Sequence, residues 1–297
     1  MPTAILHASA SATDHTQIRL GLIGQDIGPS RTPAMHMVEG RAQGLNVRYD
    51  LFDLTALKLT VADLPALLND IEAAGYVGVN VTHPCKQAVI PLLNELSPQA
   101  RALGAVNTVL FREGQRIGHN TDWFGFAESF RRNMAGADLR HAVQIGAGGA
   151  GAAVAYALLE LGVEKVTLVD ADLTRAQTLA AQHAAQFGAH RLAVAVSPAE
   201  AVPSASGVVN CTPIGMAAHP GLPLDAALLR PDLWVAEIVY FPLETALLKA
   251  ARALGCRTVH GGGMAVFQAV EAFRLFTGIT PDAERMLAHF AAGAPLP

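Results

Sequence analysis

Two short stretches of this chain hold side chains that could move a proton. One is Asn80-Val-Thr82-His83-Pro84-Cys85-Lys86, the other Asn120-Thr121-Asp122. A lysine takes a hydroxyl proton when burial and neighbours lower its pKa, and a nearby aspartate orients it and tempers its charge. Hydride removal from an alcohol needs such a base for the hydroxyl proton. Ser30, Thr32, Thr82 and Asn107 add hydroxyls and an amide on loops of the same half of the chain. A ligand rich in hydroxyls needs them, because each buried ligand hydroxyl must find a partner. Taken singly, these residues have plainer readings. Lys86 alone is a solvated residue in a first helical turn, and Asp122 alone is an N-cap before Trp123. His83, before a proline, reads as structural or exposed, and His36 as packed or on the surface.

The second half carries a different signal. A strand-like run, residues 141–145, meets Gly146-Ala-Gly148-Gly149-Ala150-Gly151. A helical segment follows, then a second strand-like run, residues 165–169, ending in Asp170. This is a dinucleotide fingerprint in its required context. The glycines allow a tight turn and close approach to a pyrophosphate, which meets the free N–H groups of the helix N-terminus. An acid at the end of the second strand accepts the ribose hydroxyls of NAD.

These groups must be positioned by sheets, and the expected fold class is α/β. Strands are expected at 18–23, 47–52, 77–81 and 106–111, with helices at 33–43 and 63–74, the latter capped by Asp63, and another opened by Pro84. Alternation of strands with helices implies a mostly parallel sheet. From residue 141 the alternation restarts, with strands at 141–145, 165–169, 191–196, 207–210, 234–239 and 257–259. Helices at 265–277 and after Pro281 follow the last strand and could pack back on the first domain. The expected architecture is an N-terminal α/β substrate domain, residues 1–122 plus 264–297, and a Rossmann-type dinucleotide-binding domain, residues 123–263, with a cleft between. Hinges fall near 123–135 and 260–264. In open α/β sheets ligands sit at the carboxyl ends of the strands, which is where the polar motifs lie.

The bulk numbers narrow the function classes. The chain has 297 residues, 51% apolar and 15% charged, as expected of a compact two-domain protein. With a net charge of −4 and no basic run, neither nucleic acid nor an anionic membrane is implied. Cys85, Cys211 and Cys256 are far apart and odd in number, and read as reduced core residues. The first sixteen residues read as a loose tail without an apolar core. A cytoplasmic location, a monomer or homodimer, and no metal are the expectations.

Together these segments resemble the shikimate dehydrogenase family, and within it the quinate/shikimate dehydrogenase branch. The resemblance is carried by Gly21-Leu-Ile-Gly24, Ser30-Arg-Thr-Pro-Ala-Met-His36, Gly78-Val-Asn-Val-Thr-His-Pro-Cys-Lys-Gln87, Ala105-Val-Asn-Thr108 and Asn120-Thr-Asp-Trp-Phe-Gly125. Behind the glycine loop come Asn210-Cys-Thr-Pro-Ile-Gly-Met216, Val239-Tyr-Phe-Pro-Leu-Glu-Thr245 and Gly263-Met-Ala-Val-Phe-Gln-Ala269. It spans roughly residues 18–290, in order.

The resemblance implies reversible oxidation of a ring hydroxyl of shikimate, and of quinate, with NAD. Lys86 and Asp122 match the family's catalytic pair. Thr82, Asn107, Tyr240 and Gln268 fall on positions that surround the hydroxy acid, and Ser30 and Thr32 on the hydroxyls that hold its carboxylate. Ser-Arg-Thr, where the shikimate-specific pattern has Ser-x-Ser, resembles the branch that also accepts quinate. Cofactor contacts are implied at Gly146, Gly148, Gly149, Ala150, Gly151, Asp170, Arg175, Thr212, Met216, Val239 and Gly263. Asp170 departs from the Asn-Arg-Thr of NADP-dependent members. Trp123, where many members have glycine, and His260-Gly-Gly-Gly263, in place of Asp-Gly, also depart from the pattern. Two rival readings are a reductase acting on another cyclohexene or amino-cyclohexene acid, and a non-catalytic NAD-binding regulator. The latter would be expected to lack the Lys/Asp pair.

Overall fold

A computed structural model describes residues 17–293. The expected N-terminal tail, residues 1–16, lies outside the described residues. The chain builds two six-stranded sheets. The first contains β1 (Ile18–Gly24), β2 (Val47–Asp53), β3 (Gly78–Val81), β4 (Glu95–Leu96), β5 (Thr108–Arg112) and β6 (Gln115–His119), in the order β2-β1-β3-β5-β6-β4. The second contains β7 (His141–Ile145), β8 (Lys165–Val169), β9 (Leu192–Ala195), β10 (Gly207–Asn210), β11 (Trp234–Glu237) and β12 (Arg257–Val259), in the order β12-β11-β10-β7-β8-β9.

The second sheet is parallel throughout and doubly wound, with its order reversing between β7 and β10. Ligands in such sheets bind at that reversal, beyond the carboxyl ends of the strands. The register aligns Ile145 with Val169 and with Asn210, and Asn210 with Glu237, so the four loops that follow leave at one edge.

The first sheet keeps the mostly parallel pairing expected and corrects it at one strand, β5. Strands β2, β1 and β3 are parallel, but β5 runs antiparallel to β3 and β6 antiparallel to β5. The strand expected at 106–111 is observed at Thr108–Arg112, and it turns at Glu113-Gly114 straight into a further strand, β6. Both turn residues have positive φ, 52° and 72°, and the short connection closes a hairpin rather than a crossover. The consequence is large for the site. With Asn80 paired to Thr108 and Thr108 to His119, the start of β5 and the end of β6 lie at the same edge as the end of β3.

Asp63 is a second correction. Its carboxylate accepts from Thr60 N and Thr60 Oγ1, at 2.8 and 2.9 Å, and closes a preceding 3-10 turn. It does not cap the helix Leu64–Ala73.

Helix Gly262–Thr277 lies against helix Asp122–Asn133, and the contact is close because glycines stand at it. A Cβ on Gly125 would strike the Met264 carbonyl, and one on Gly263 would strike the Ser129 hydroxyl. The far end of Gly262–Thr277 covers the first sheet, where Ala272 and Phe276 pack with Leu20, Leu22, Tyr49 and Leu110. Helix Asp122–Asn133 turns Phe126 and Phe130 into the core of the second sheet, with the Phe130 ring 4.9 Å from that of Trp234. Helix Ala283–Ala292 is tied to helix Thr32–Ala42 by Arg285, which grips the fully buried Glu39 at 2.7 Å. Among the described residues no helix is long and apolar enough to cross a membrane.

Candidate active site

A cavity of about 240 Å³ opens where the carboxyl edges of the two sheets face each other. All eight residues expected at the catalytic and substrate positions line it: Ser30, Thr32, Thr82, Lys86, Asn107, Asp122, Tyr240 and Gln268. Ala150 from the glycine loop lines it too, with Ile238, Gly261 and Met264.

Lys86 sits in the short helix Cys85–Ala88, just past the end of β3. Its Nζ donates to Asp122 Oδ2 at 2.6 Å. Both side chains are largely enclosed, 25% and 12% exposed, so the pair is only weakly screened. The other carboxylate oxygen, Oδ1, accepts from Asn107 Nδ2 at 3.0 Å. Asn107 is fixed in turn by Thr121 N, which donates to its Oδ1 at 2.8 Å. Thr108 Oγ1 donates to the same oxygen at 3.0 Å and accepts from Asn80 Nδ2, also at 3.0 Å. Asn80 Oδ1 accepts from Tyr49 Oη at 2.8 Å. A buried polar chain therefore runs from Tyr49 through Asn80, Thr108, Asn107 and Asp122 to Lys86. Every buried donor and acceptor along it that the structure pairs is one fewer route for the site to relax.

At the opposite end of the cavity the loop after β1 presents Ser30 and Thr32. Asp53, at the end of β2, holds this loop by accepting from Asp26 N and Ile27 N at 3.1 and 2.8 Å. Thr32 opens the helix Thr32–Ala42, and its N–H donates to Ser30 Oγ at 3.3 Å. Behind it, His36 is fully buried among Tyr49, Phe273 and Phe276. Its Nδ1 donates to the Thr32 carbonyl at 3.0 Å. Burial holds its pKa down at about 4, so the ring is neutral and acts as a packing and bracing group. His83 is exposed and contributes its backbone carbonyl to Gln25 N at 2.9 Å. Gln268 donates to the Ala265 carbonyl at 3.0 Å, and Tyr240 is half-exposed with its ring 6.2 Å from that of Phe290.

The glycine loop leaves β7 with Gly146 at φ +102°. A Cβ there would run into the Cys211 backbone, which is how closely β7 and β10 approach at the reversal. A Cβ on Gly148 or Gly149 would meet nothing within 4 Å, so open space stands beside the start of helix Gly149–Glu160. That helix has no side-chain cap, and its first internal bond runs from Ala152 N to Gly148 O. The N–H groups of Gly149, Ala150 and Gly151 stand at the open end, where a pyrophosphate is favoured by hydrogen bonding and dipole together.

Asp170 lies at the end of β8. Its Oδ2 accepts from Ala147 N at 2.7 Å and its Oδ1 from Asp172 N at 2.8 Å, so the carboxylate also clamps the glycine loop. Arg175 stands in the first turn of helix Leu173–Phe187, mostly exposed, 3.8 Å from both Asp170 and Asp172. Thr212 and Met216 lie on the loop after β10, and Val239 on the loop after β11. Gly263 lies in the helix crossing, where a Cβ would strike the Ser129 hydroxyl.

The departures at 123 and 260 each make a defined contact. Trp123 packs edge-on against Tyr156, 5.5 Å between centroids, and joins helix Asp122–Asn133 to the glycine-loop helix. His260 Nδ1 accepts from Gly262 N at 3.1 Å, a local bond at the start of helix Gly262–Thr277.

Sequence reasoning missed Glu237. It ends β11 and is 1% exposed. Asn210 Nδ2 donates to both its oxygens at 2.9 and 3.0 Å, Val239 N at 3.0 Å and Thr245 Oγ1 at 3.1 Å. Asn210 Oδ1 accepts from Thr212 N and Oγ1 at 3.0 and 2.7 Å. Glu237 thus ties together the loops that carry Thr212, Met216 and Val239. Burial pushes its carboxyl up to about 7, against the pull of these donated bonds. A lone acid closing an apolar strand, Trp-Val-Ala-Glu, was the available signal.

Known proteins share this plan. Residues 22–109 match the shikimate dehydrogenase substrate binding domain and residues 261–289 the shikimate 5'-dehydrogenase C-terminal domain. A shikimate dehydrogenase (NADP+) of Streptomyces avermitilis is 56% identical over 92% of this chain and 94% of its own length. A quinate/shikimate dehydrogenase (NAD+) of Corynebacterium efficiens is 51% identical over 93% and 99%. The solved quinate dehydrogenase from Corynebacterium glutamicum in complex with NAD superposes with a TM-score of 0.90 at 48% identity, over 93% of this chain and 99% of that one. At such identity over nearly the whole length, the chain belongs to the shikimate dehydrogenase family.

Proposed function

We propose that this protein is an NAD-dependent dehydrogenase that interconverts shikimate and 3-dehydroshikimate, and quinate and 3-dehydroquinate. The observation that carries the reading is the enclosed Lys86–Asp122 pair in a cavity that also reaches Ala150 of the glycine loop. A non-catalytic regulator would have no use for it.

The hydroxyl to be oxidised lies against Lys86. The lysine amine takes its proton as the C–H bond breaks and the carbonyl forms. When bound, NAD would supply the acceptor for the hydride and its two electrons. Asp122 holds Lys86 through Oδ2, and hydrogen-bonds a neighbouring ring hydroxyl. Thr82, Asn107, Gln268 and Tyr240 receive the remaining hydroxyls, and Ser30 and Thr32 the carboxylate. Positioning of this kind lowers the barrier by supplying geometry in advance.

The glycine loop, Gly146 to Gly151, with Asp170, Arg175, Thr212, Met216, Val239 and Gly263, is assigned to the cofactor. The open space beside Gly148 and Gly149 supports a pyrophosphate there. Asp170 supports NAD over NADP, since a 2′-phosphate beside a carboxylate meets a like charge. The NAD-named Corynebacterium relatives agree, although the Streptomyces relative is named for NADP. The chain is read as residues 1–122 plus 264–297 for substrate and 123–263 for cofactor. The hinges are placed near 123–135 and 260–264, and the protein as a cytoplasmic monomer or homodimer. Initial rates with shikimate and quinate, each with NAD and with NADP, test the reading; turnover of neither acid with either cofactor overturns it.

A further inference from the structure

When Lys86 carries a proton, Asp122, 2.6 Å away, balances it, so its charge is not free for an acid ligand. The cavity has a second cation. Arg31 lines it, between Ser30 and Thr32. Its contacts among the described residues are the Phe290 carbonyl, which accepts from Nη1 at 2.9 Å, and the faces of Phe290 and Phe241, 5.1 and 6.0 Å from the guanidinium carbon. None is a carboxylate. One of its five N–H groups is accounted for by Phe290, and the aromatic faces keep water from part of the group. The helix Thr32–Ala42 begins one residue later, its first N–H already donated to Ser30 Oγ and its second residue a proline without one. Guanidinium and two hydroxyls therefore concentrate donors and positive charge at one end of the cavity, with Lys86–Asp122 at the other.

We propose that Arg31 is a specificity-determining residue that binds the carboxylate of the substrate and selects ring acids over neutral polyols of the same size. The proposal rests on the acid substrate read above. Two hydroxyls can orient a carboxylate but cannot balance its charge, and an enclosed carboxylate needs a counter-charge. The arginine fork supplies both charge and paired donors. Its tie to Phe290 on helix Ala283–Ala292 holds it at the cavity instead of in solvent.

The test compares shikimate with methyl shikimate, whose carboxylate is neutralised, on wild type, Arg31→Gln and Arg31→Lys. Steady-state kinetics are paired with calorimetric binding to the free enzyme. Arg31→Gln is expected to raise KM and Kd for shikimate by about 10- to 100-fold, the range for a hydrogen bond to a charged group, with kcat little changed. The methyl ester is expected to bind wild type and Arg31→Gln equally well. Arg31→Lys is expected to recover part of the affinity for the acid. Equal losses for acid and ester would make Arg31 a brace for Phe290 only, and no loss for either would make it a solvent-facing cation; both overturn the proposal. Should Arg31→Gln fail to fold, wild type itself must still prefer the acid to the ester about tenfold or more, and equal affinity overturns the proposal. Absence of turnover in wild type would sink the reaction assignment alone, because the binding comparison does not depend on it.

Discussion

Asn107 donates to Asp122 Oδ1 at 3.0 Å while Lys86 donates to Oδ2 at 2.6 Å, so one carboxylate is held from two sides by residues on different elements. Asn107 precedes β5, Asp122 follows β6, and Lys86 follows β3. The pair at the centre of the site is therefore as rigid as the antiparallel hairpin that brings Asn107 and Asp122 together.

Lys86→Ala is expected to lower kcat by about 10²–10⁴, with a smaller effect on KM, as befits loss of a general base. Asp122→Asn is expected to damage both rate and affinity, and the double variant to be far from additive, since the groups act as a unit. The check is a double-variant cycle in kcat/KM. Full additivity would reduce Asp122 to a helix cap.

Tyr49→Phe removes a hydroxyl from the far end of the polar chain and leaves Asn80 Oδ1 without its buried donor. A loss of about 1–3 kcal/mol in unfolding free energy is expected, the cost of a buried unsatisfied acceptor. Urea denaturation measures it, and an unchanged midpoint would show that Asn80 needs no anchor.

Glu237→Gln tests the buried carboxyl behind the cofactor loops. The Glu237 carboxyl is pushed up to about 7 from its ordinary 4.5, so between these values the folded protein binds more protons than the unfolded one. Its contribution to stability is fully present below pH 4.5 and is lost as pH rises through 7. Cys211, on which the Glu237 charge acts, is pushed upward by burial and by Glu237 itself, and stays a neutral thiol across this window. Removing Glu237 should therefore flatten the fall in stability over that window. Thermal melts at stepped pH decide it; an identical pH dependence in the variant would contradict the assignment.

Asp170→Ala is expected to relax a preference for NAD over NADP of about tenfold, or 1.4 kcal/mol, in kcat/KM. Because Asp170 also accepts from Ala147 N, the variant should lose affinity for both cofactors as the glycine loop loosens. Equal or better turnover with NADP in the unmutated protein would remove Asp170 from cofactor selection.

Thr32→Ser is expected to shift kcat/KM from quinate toward shikimate. Quinate is non-planar at the carboxylate-bearing carbon and carries an extra hydroxyl there, at the end of the cavity where Thr32 lies. Competition between the two acids measures the shift, and an unchanged ratio would confine Thr32 to binding.

The amino-acid sequence by itself determined the second sheet almost to the residue. Its strands are parallel, three of them closed by Gly146, Asp170 and Glu237, and the signals for strand, glycine turn and helix are local in the chain. The polar motifs of the first half were equally legible, since Lys86, Asp122, Asn107, Ser30 and Thr32 all stand on loops or at the first turns of helices, near strands that local patterning marks. What only the tertiary structure decided is which loops meet. Read as parallel, the strand after Asn107 would place that residue at the sheet edge opposite Lys86. The tight turn at Glu113-Gly114 reverses the chain, and long-range pairing of Asn80 with Thr108 and of Thr108 with His119 brings the two motifs to one edge. The polar chain back to Tyr49, the fourfold role of Glu237 and the place of Arg31 in the cavity follow the same logic. Each depends on groups far apart in sequence that share one buried volume, and periodicity along the chain does not record which distant partner satisfies a buried hydrogen bond.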